Sequence, residues 1–235
     1  MAEVARPALS ADIIQRIAPV TLSGHRVLPV PEPLQPLFPW GGVQRGTSLG
    51  VDGHGSWGLA MATLSEALGA EGWLAIVGAP EVGLCAAADF GLRLDRVLIV
   101  ETPSVSQWPT VVASLLEAVD VVAIAPEGRV GPRDARRLNA RAREQSSILL
   151  HLDGARTWPT AVDVSLTTRV DEWVGLGDGH GHLRARRVTV ESTGRRSAAR
   201  SSAVSVWLPG PDGRLEEVLP EAIPIRPENL QAVLT

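Results

Sequence analysis

Gly50-Val51-Asp52-Gly53-His54-Gly55-Ser56-Trp57 joins an apolar segment, Thr47–Val51, to a run whose Leu59, Ala60, Leu64, Ala67 and Leu68 fall on one helical face. A strand that turns through closely spaced glycines into a helix is the geometry of a phosphate-cradling loop. In such a loop backbone N–H groups surround the phosphates, a lysine neutralises them, and the next Ser or Thr holds magnesium. Gly50 and Gly55 stand at the framing spacing, but Ser56 occupies the lysine position and Trp57 the hydroxyl position. The chain contains no lysine, and all 22 of its basic residues are arginine. Gly50, Gly53, Gly55, Ser56 and Trp57 therefore read as a vestigial nucleotide loop. Asp52, His54 and Ser56 carry the letters of a hydrolase triad, but residues two apart on one tight turn do not converge as a triad must.

Working outward, apolar strands alternate with single helices. Trp73–Val77 is a strand, Val82–Phe90 a helix closed by Gly91, and Arg96–Val100 a strand. Pro109 opens a helix with Val111, Val112, Leu115, Leu116 and Val119 on one face, and Val121–Ala125 is a strand. Pro132 opens an arginine-rich helix through Arg143, with Leu138 and Ala142 facing inward; Ser147–Leu152 is again a buried-type strand. This alternation predicts an α/β fold with a mostly parallel sheet covered on both faces. Beyond Ala161 the pattern becomes β-rich: Val162–Leu166, Glu172–Leu176, Arg187–Glu191 and Val204–Leu208. Residues 26–41 hold five prolines and predict an extended entry without helix.

Composition narrows the function classes. The chain has 235 residues, 45% of them apolar, so one core domain with extensions is expected. A net charge of −4 argues against a bulk nucleic-acid coat and leaves a local basic patch open. The lone cysteine, Cys85, fits a reducing compartment and reads as a core side chain on its helix. With no signal-peptide pattern and no run of about 18 apolar residues, a cytoplasmic location without a membrane span is expected. His180 and His182 lack a Cys or carboxylate cluster nearby and read as a solvated turn, so no metal is expected.

Larger blocks carry a family resemblance. They are Trp40-Gly41-Gly42-Val43-Gln44-Arg45-Gly46-Thr47, Gly50 to Gly55, Gly72-Trp73-Leu74-Ala75-Ile76-Val77-Gly78, and Gly91-Leu92-Arg93-Leu94-Asp95-Arg96. Asp120-Val121-Val122, Arg136–Arg143 and Val206-Trp207-Leu208-Pro209 complete the set. Their order resembles the RecA core, and more specifically the ImuA family of RecA-like accessory proteins in damage-induced, error-prone translesion synthesis. The resemblance covers roughly residues 26–210. It implies a RecA-like, P-loop-derived core (26–210) with a helical N-terminal arm (1–25) and an extended C-terminal tail (211–235). It also implies partners: a polymerase-like mutasome subunit and an error-prone polymerase, with RecA-like self-association as a further contact. The departures matter as much. The strand expected to lead to a water-activating glutamate ends Val77-Gly78-Ala79-Pro80, with Glu81 too far along. The strand expected to end in a magnesium-binding aspartate ends Ala123-Ile124-Ala125. Phosphoryl transfer depends on that lysine and metal. The expectation is a protein without catalytic residues or cofactor; a DNA-binding repair or recombination regulator, or an ATPase with an atypical nucleotide site, is the alternative.

The remaining candidates are surfaces. Arg184, Arg186, Arg187, Arg195, Arg196 and Arg200 border or occupy the Ser192–Ser202 loop, and Arg195, Arg196 and Arg200 are candidate DNA contacts. Ile13 and Ile17 on the arm, and Leu230, Val233 and Leu234 on the tail, form apolar stripes suited to partner binding. Trp73 and Trp207 read as core. Trp57 is placed to fill the space of a nucleotide.

Overall fold

The computed structural model describes residues 27–79, 82–101, 104–126, 128–152, 158–177, 180–195 and 201–218. Ile13 and Ile17 of the expected arm, and Leu230, Val233 and Leu234 of the expected tail, lie outside the described residues, as do Arg196 and Arg200.

The described chain opens with β1 (Val27–Pro29), antiparallel to β2 (Gly42–Gln44). Between them Glu32–Leu37 forms a 3-10 helix, where the sequence predicts none. Prolines fix φ near −65°, a value that a 3-10 turn accepts. Leu34 N donates to Pro31 O at 2.8 Å, and buried Leu34 and Leu37 anchor the turn in the core.

β3 (Ser48–Gly53), α1 (Ser56–Leu68), β4 (Leu74–Val77), α2 (Leu84–Asp89) and β5 (Val97–Val100) follow. Then come α3 (Trp108–Ala118), β6 (Val121–Ile124), α4 (Pro132–Gln145) and β7 (Ile148–Leu152). The β-rich part supplies β8 (Val164–Gly177), β9 (His180–Gly194), β10 (Ser202–Trp207) and β11 (Glu216–Glu217). The strands form one sheet in the order β11-β10-β9-β8-β3-β7-β6-β4-β5. It is parallel from β8 through β3 to β5 and antiparallel from β8 to β11. The sheet continues past residue 210, where the extended tail is expected to begin, because Glu216 and Glu217 pair with Trp207 and Val206.

Successive side chains of a strand point to opposite faces, and here the two faces carry separate cores. Leu74, Ile76, Val121, Ala123, Ile148 and Leu150 pack with Leu59 and Leu64 of α1. Ala75, Val77, Val122, Ile124 and Leu149 pack with Val112 and Leu116 of α3 and Leu138 of α4. Pro132 sits at the start of α4, and Ala135, Leu138 and Ala142 are its buried stripe, so its arginines are left to the outer face.

Several expectations are corrected. Val162–Leu166 and Glu172–Leu176 are not two strands but parts of β8, which bends through register shifts at Val170/Glu172 and Val174/Leu176. The polar run between them hides this continuity, while bulges absorb the irregular pairing. Cys85 is exposed on α2, because Ala87 is the buried residue of that short helix. Trp73 and Trp207 are half-buried; Trp73 carries the Arg96 guanidinium 5.0 Å from its ring centroid. His180 and His182 are exposed at the start of β9. Among the described residues no helix is long and apolar enough to cross a membrane.

Candidate functional site

The glycine-rich turn stands where β3 runs out beside α1. Gly53 and Gly55 have φ of 95° and 82°, a region that L side chains rarely adopt. Thr168 of β8 closes the turn from one side: its Oγ1 donates to Asp52 O at 3.1 Å and to His54 O at 2.9 Å. A Cβ on Gly53 would lie 2.2 Å from Thr168 O, so the two backbones touch. Gly55 is the N-cap of α1. No side chain caps this helix, and its first turn contains no acid.

Trp57, at the lysine-adjacent position, turns inward and packs against the α1-face core, with its Nε1 buried and unpartnered. It occupies core space rather than projecting a hydroxyl. The strand ends that should bear acids bear none among the described residues. Gly78 and Ala79 follow β4, while Ala125 and Pro126 follow β6. Ala125 N donates to Val77 O at 3.0 Å, joining these two strand ends. Among the described residues no group of three or more His, Cys, Asp or Glu side chains could hold a metal ion.

The arginines grouped in the sequence separate in space. Arg187 pairs with Glu172 at 3.2 Å, and Arg184 is exposed. Arg186 is only 8% exposed and lies on the α1 face. Its Nε donates to Leu208 O at 2.7 Å, and its guanidinium stacks 5.3 Å from the Trp173 ring centroid. The same guanidinium abuts Gly55: a Cβ there would stand 2.1 Å from Nη2 and 2.3 Å from Nη1. Burial holds the Arg186 pKa below its ordinary value. The sequence could not single out Arg186, because spacing in a strand gives the face but not the neighbour across the sheet.

Arg195 is exposed at the opposite end of the sheet, where it lines a cleft of about 340 Å³ with Trp40, Arg45, Arg143 and Asp163. Arg45 pairs with Asp120 at 2.9 Å, and Arg143 lies 3.6 Å from Asp163. Trp40 is 64% exposed at this cleft.

A third cluster escapes sequence reasoning altogether. His151, near the end of β7, is 2% exposed. It lies 4.3 Å from the Trp158 ring centroid, which is in turn 6.4 Å from that of Trp108. Burial pushes the His151 pKa down to about 3, so the ring is neutral, and its Nε2 has no hydrogen-bond partner.

Comparison with known proteins agrees with this layout. The crystal structure of the RadB recombinase superposes with a TM-score of 0.55 over 76% of this chain and 94% of that chain, at 16% identity. The fold is therefore the expected α/β, RecA-like core. Uncharacterized protein Rv3395c of Mycobacterium tuberculosis (strain ATCC 25618 / H37Rv) is 35% identical over 101 residues, 43% of this chain and 49% of that protein. The chain thus matches about half the length of that relative. The family model described as the MT3502 N-terminal domain matches residues 36–160, from the 3-10 turn through the glycine-rich loop and past β7. With more than half of its length matched, the chain belongs to the MT3502 N-terminal domain family.

Proposed function

We propose that this chain is a non-catalytic, RecA-like accessory protein of a damage-induced translesion synthesis mutasome, acting through contacts with a polymerase-like subunit. The observation that carries the reading is an intact strand-turn-helix whose chemistry is gone. Ser56 and Trp57 replace the lysine and hydroxyl, and Ala125 stands where the magnesium aspartate belongs. A packed scaffold survives such losses and remains available as an interaction surface. The mutasome assignment rests on the ImuA-like order of the Trp40–Thr47, Gly72–Gly78 and Arg136–Arg143 blocks.

The test is affinity purification of the tagged full chain from cells after DNA damage, with captured proteins identified by mass spectrometry. A polymerase-like subunit is expected to co-purify with the parent chain. Its recovery is expected to fall at least several-fold with the Ile13→Asp/Ile17→Asp variant, whose arm stripe is made polar. Failure to recover any polymerase-like subunit with the parent chain, while the bait itself is recovered, would contradict the assignment.

The exposed Trp40 and Arg195 at one cleft favour a second reading, DNA contact by the isolated protein. Binding that weakens steeply with salt and with Arg195→Glu is its expected signature.

A further inference from the structure

Three features meet at the cleft beside Arg195, at the end of the sheet away from the glycine-rich turn. The first is a strand edge. β2 pairs with β1 along one side, and no strand covers its other side among the described residues. Gly42, Val43 and Gln44 of β2 line the cleft, whereas β1 contributes no residue to it. An open edge presents main-chain N–H and C=O groups that an extended chain can take up. The second feature is an aromatic ring. Phe38, 5% exposed, anchors a four-residue turn in the core, and Gly41 N closes that turn on Phe38 O at 3.1 Å. Pro39 fixes the φ of the turn's second residue, so Trp40 is held at the rim with 64% of its surface exposed. The third is positive charge. Among the described residues Arg45, Arg143 and Arg195 line the cleft against one carboxylate, that of Asp163, in a chain whose net charge is −4. Asp163 is already occupied, because its Oδ2 accepts from Ser48 N at 2.9 Å and from Ser48 Oγ at 3.0 Å. Arg143 stands 3.6 Å from Asp163 Oδ1, beyond hydrogen-bond length. The Arg195 side chain forms no ion pair among the described residues. Its backbone N donates to Asp163 O at 3.1 Å, which fixes the point from which the side chain starts.

We propose that this cleft docks an extended peptide segment of a partner protein, with a carboxylate for Arg195 and Arg143 and a large apolar side chain for the Trp40 ring. The peptide's main chain adds as a third strand beside β2, and its alternate side chains reach into the cleft. Trp and Arg are the residue types that most often dominate the energy of an interface. The open edge of β2 favours a peptide over a nucleic-acid strand, which has no main-chain amides to pair with it. Asp163 on the wall also repels a string of phosphates more than a single carboxylate. This surface deepens the accessory reading and rests on it for the existence of a protein partner.

The experiment pans a phage-displayed library of random linear peptides against the immobilised full chain. Enriched sequences are expected to carry Asp or Glu close to a large apolar residue. The tightest of them, made as a fluorescein-labelled peptide, is expected to lose affinity about ten-fold or more with Arg195→Glu and with Trp40→Ala. Both side chains are exposed, and circular dichroism confirms that each variant folds as the parent does. Replacing the peptide's carboxylate by an arginine is expected to weaken binding to the parent and to restore part of the binding to Arg195→Glu. No enriched sequence, enrichment without acidic residues, or a peptide that binds both variants as tightly as the parent would overturn the proposal. So would a single-stranded oligonucleotide that binds more tightly than the peptide and loses that binding with Arg195→Glu, which would give the cleft to nucleic acid. The selection needs neither DNA damage nor a polymerase. It can therefore succeed while the mutasome assignment fails, and its own failure leaves that assignment to the co-purification.

Discussion

Gly53→Ala is expected to cost on the order of 3 kcal/mol of folding stability, the largest effect of any single methyl in the glycine-rich turn. Two costs combine. The native φ of 95° is strained for any residue with a Cβ, by about 1–3 kcal/mol. The added Cβ also meets the Thr168 carbonyl oxygen at 2.2 Å and Thr168 Oγ1 at 2.7 Å. The carbonyl cannot rotate away, because Gly53 and Thr168 are paired in the β3–β8 ladder, so β8 must shift. A shift would also break the Thr168 hydrogen bonds to Asp52 O and His54 O. At Gly55→Ala the nearest atoms belong to the Arg186 guanidinium, a side-chain end rather than backbone, so this change is expected to cost less. Urea unfolding of the two variants beside the parent checks the order. Equal midpoints for Gly53→Ala and the parent would show that the turn is not held in this geometry.

Acidification is expected to destabilise the protein through His151 before most carboxylates titrate. In the unfolded chain its pKa is near 6.5, whereas burial against Trp158 lowers the folded value to about 3. The folded state therefore refuses a proton that the unfolded state accepts. This contribution is fully present above pH 6.5 and is lost progressively as pH falls from there toward 3. Linkage sets the loss between pH 7 and 5 at about 2 kcal/mol. His151→Leu, which fills the same buried position in β7 without a titrating ring, is expected to remove that slope. Stability against pH, measured by urea unfolding at several pH values, checks it. An unchanged slope in the variant would place the acid sensitivity elsewhere.

How much of this was legible in the sequence depended on whether a local pattern carried it. The apolar runs of β4, β6 and β7, bounded by Gly72, Asp120 and Ser147, read correctly because a doubly covered parallel strand is apolar on both faces. Pro132, with Leu138 and Ala142, placed α4 for similar local reasons. The continuous β8 was hidden because Thr167–Asp171 interrupts the apolar signal, while its pairing with β9 is set across the sheet. Cys85 was misread because a six-residue helix buries only one narrow face. At the candidate site the missing lysine and acids were legible residue by residue. Arg186 was not: its sequence neighbours Arg184 and Arg187 are solvent-facing or ion-paired, and only the fold brings it to Gly55. His151 was overlooked for the same reason, since Trp158 reaches it from another segment and Trp108 packs on Trp158 in turn.

On the proposed reading the RecA-like scaffold is retained here without phosphoryl-transfer chemistry. Phosphate release from ATP by the purified full chain, with magnesium and with or without single-stranded DNA, tests it most directly. Release no faster than the buffer blank is expected, both for the parent and for Ser56→Ala. The blank rate follows because no described residue at the ends of β4 or β6 supplies a carboxylate for magnesium or water. Magnesium-dependent turnover that disappears in Ser56→Ala would contradict it and restore the chain to the ATPases.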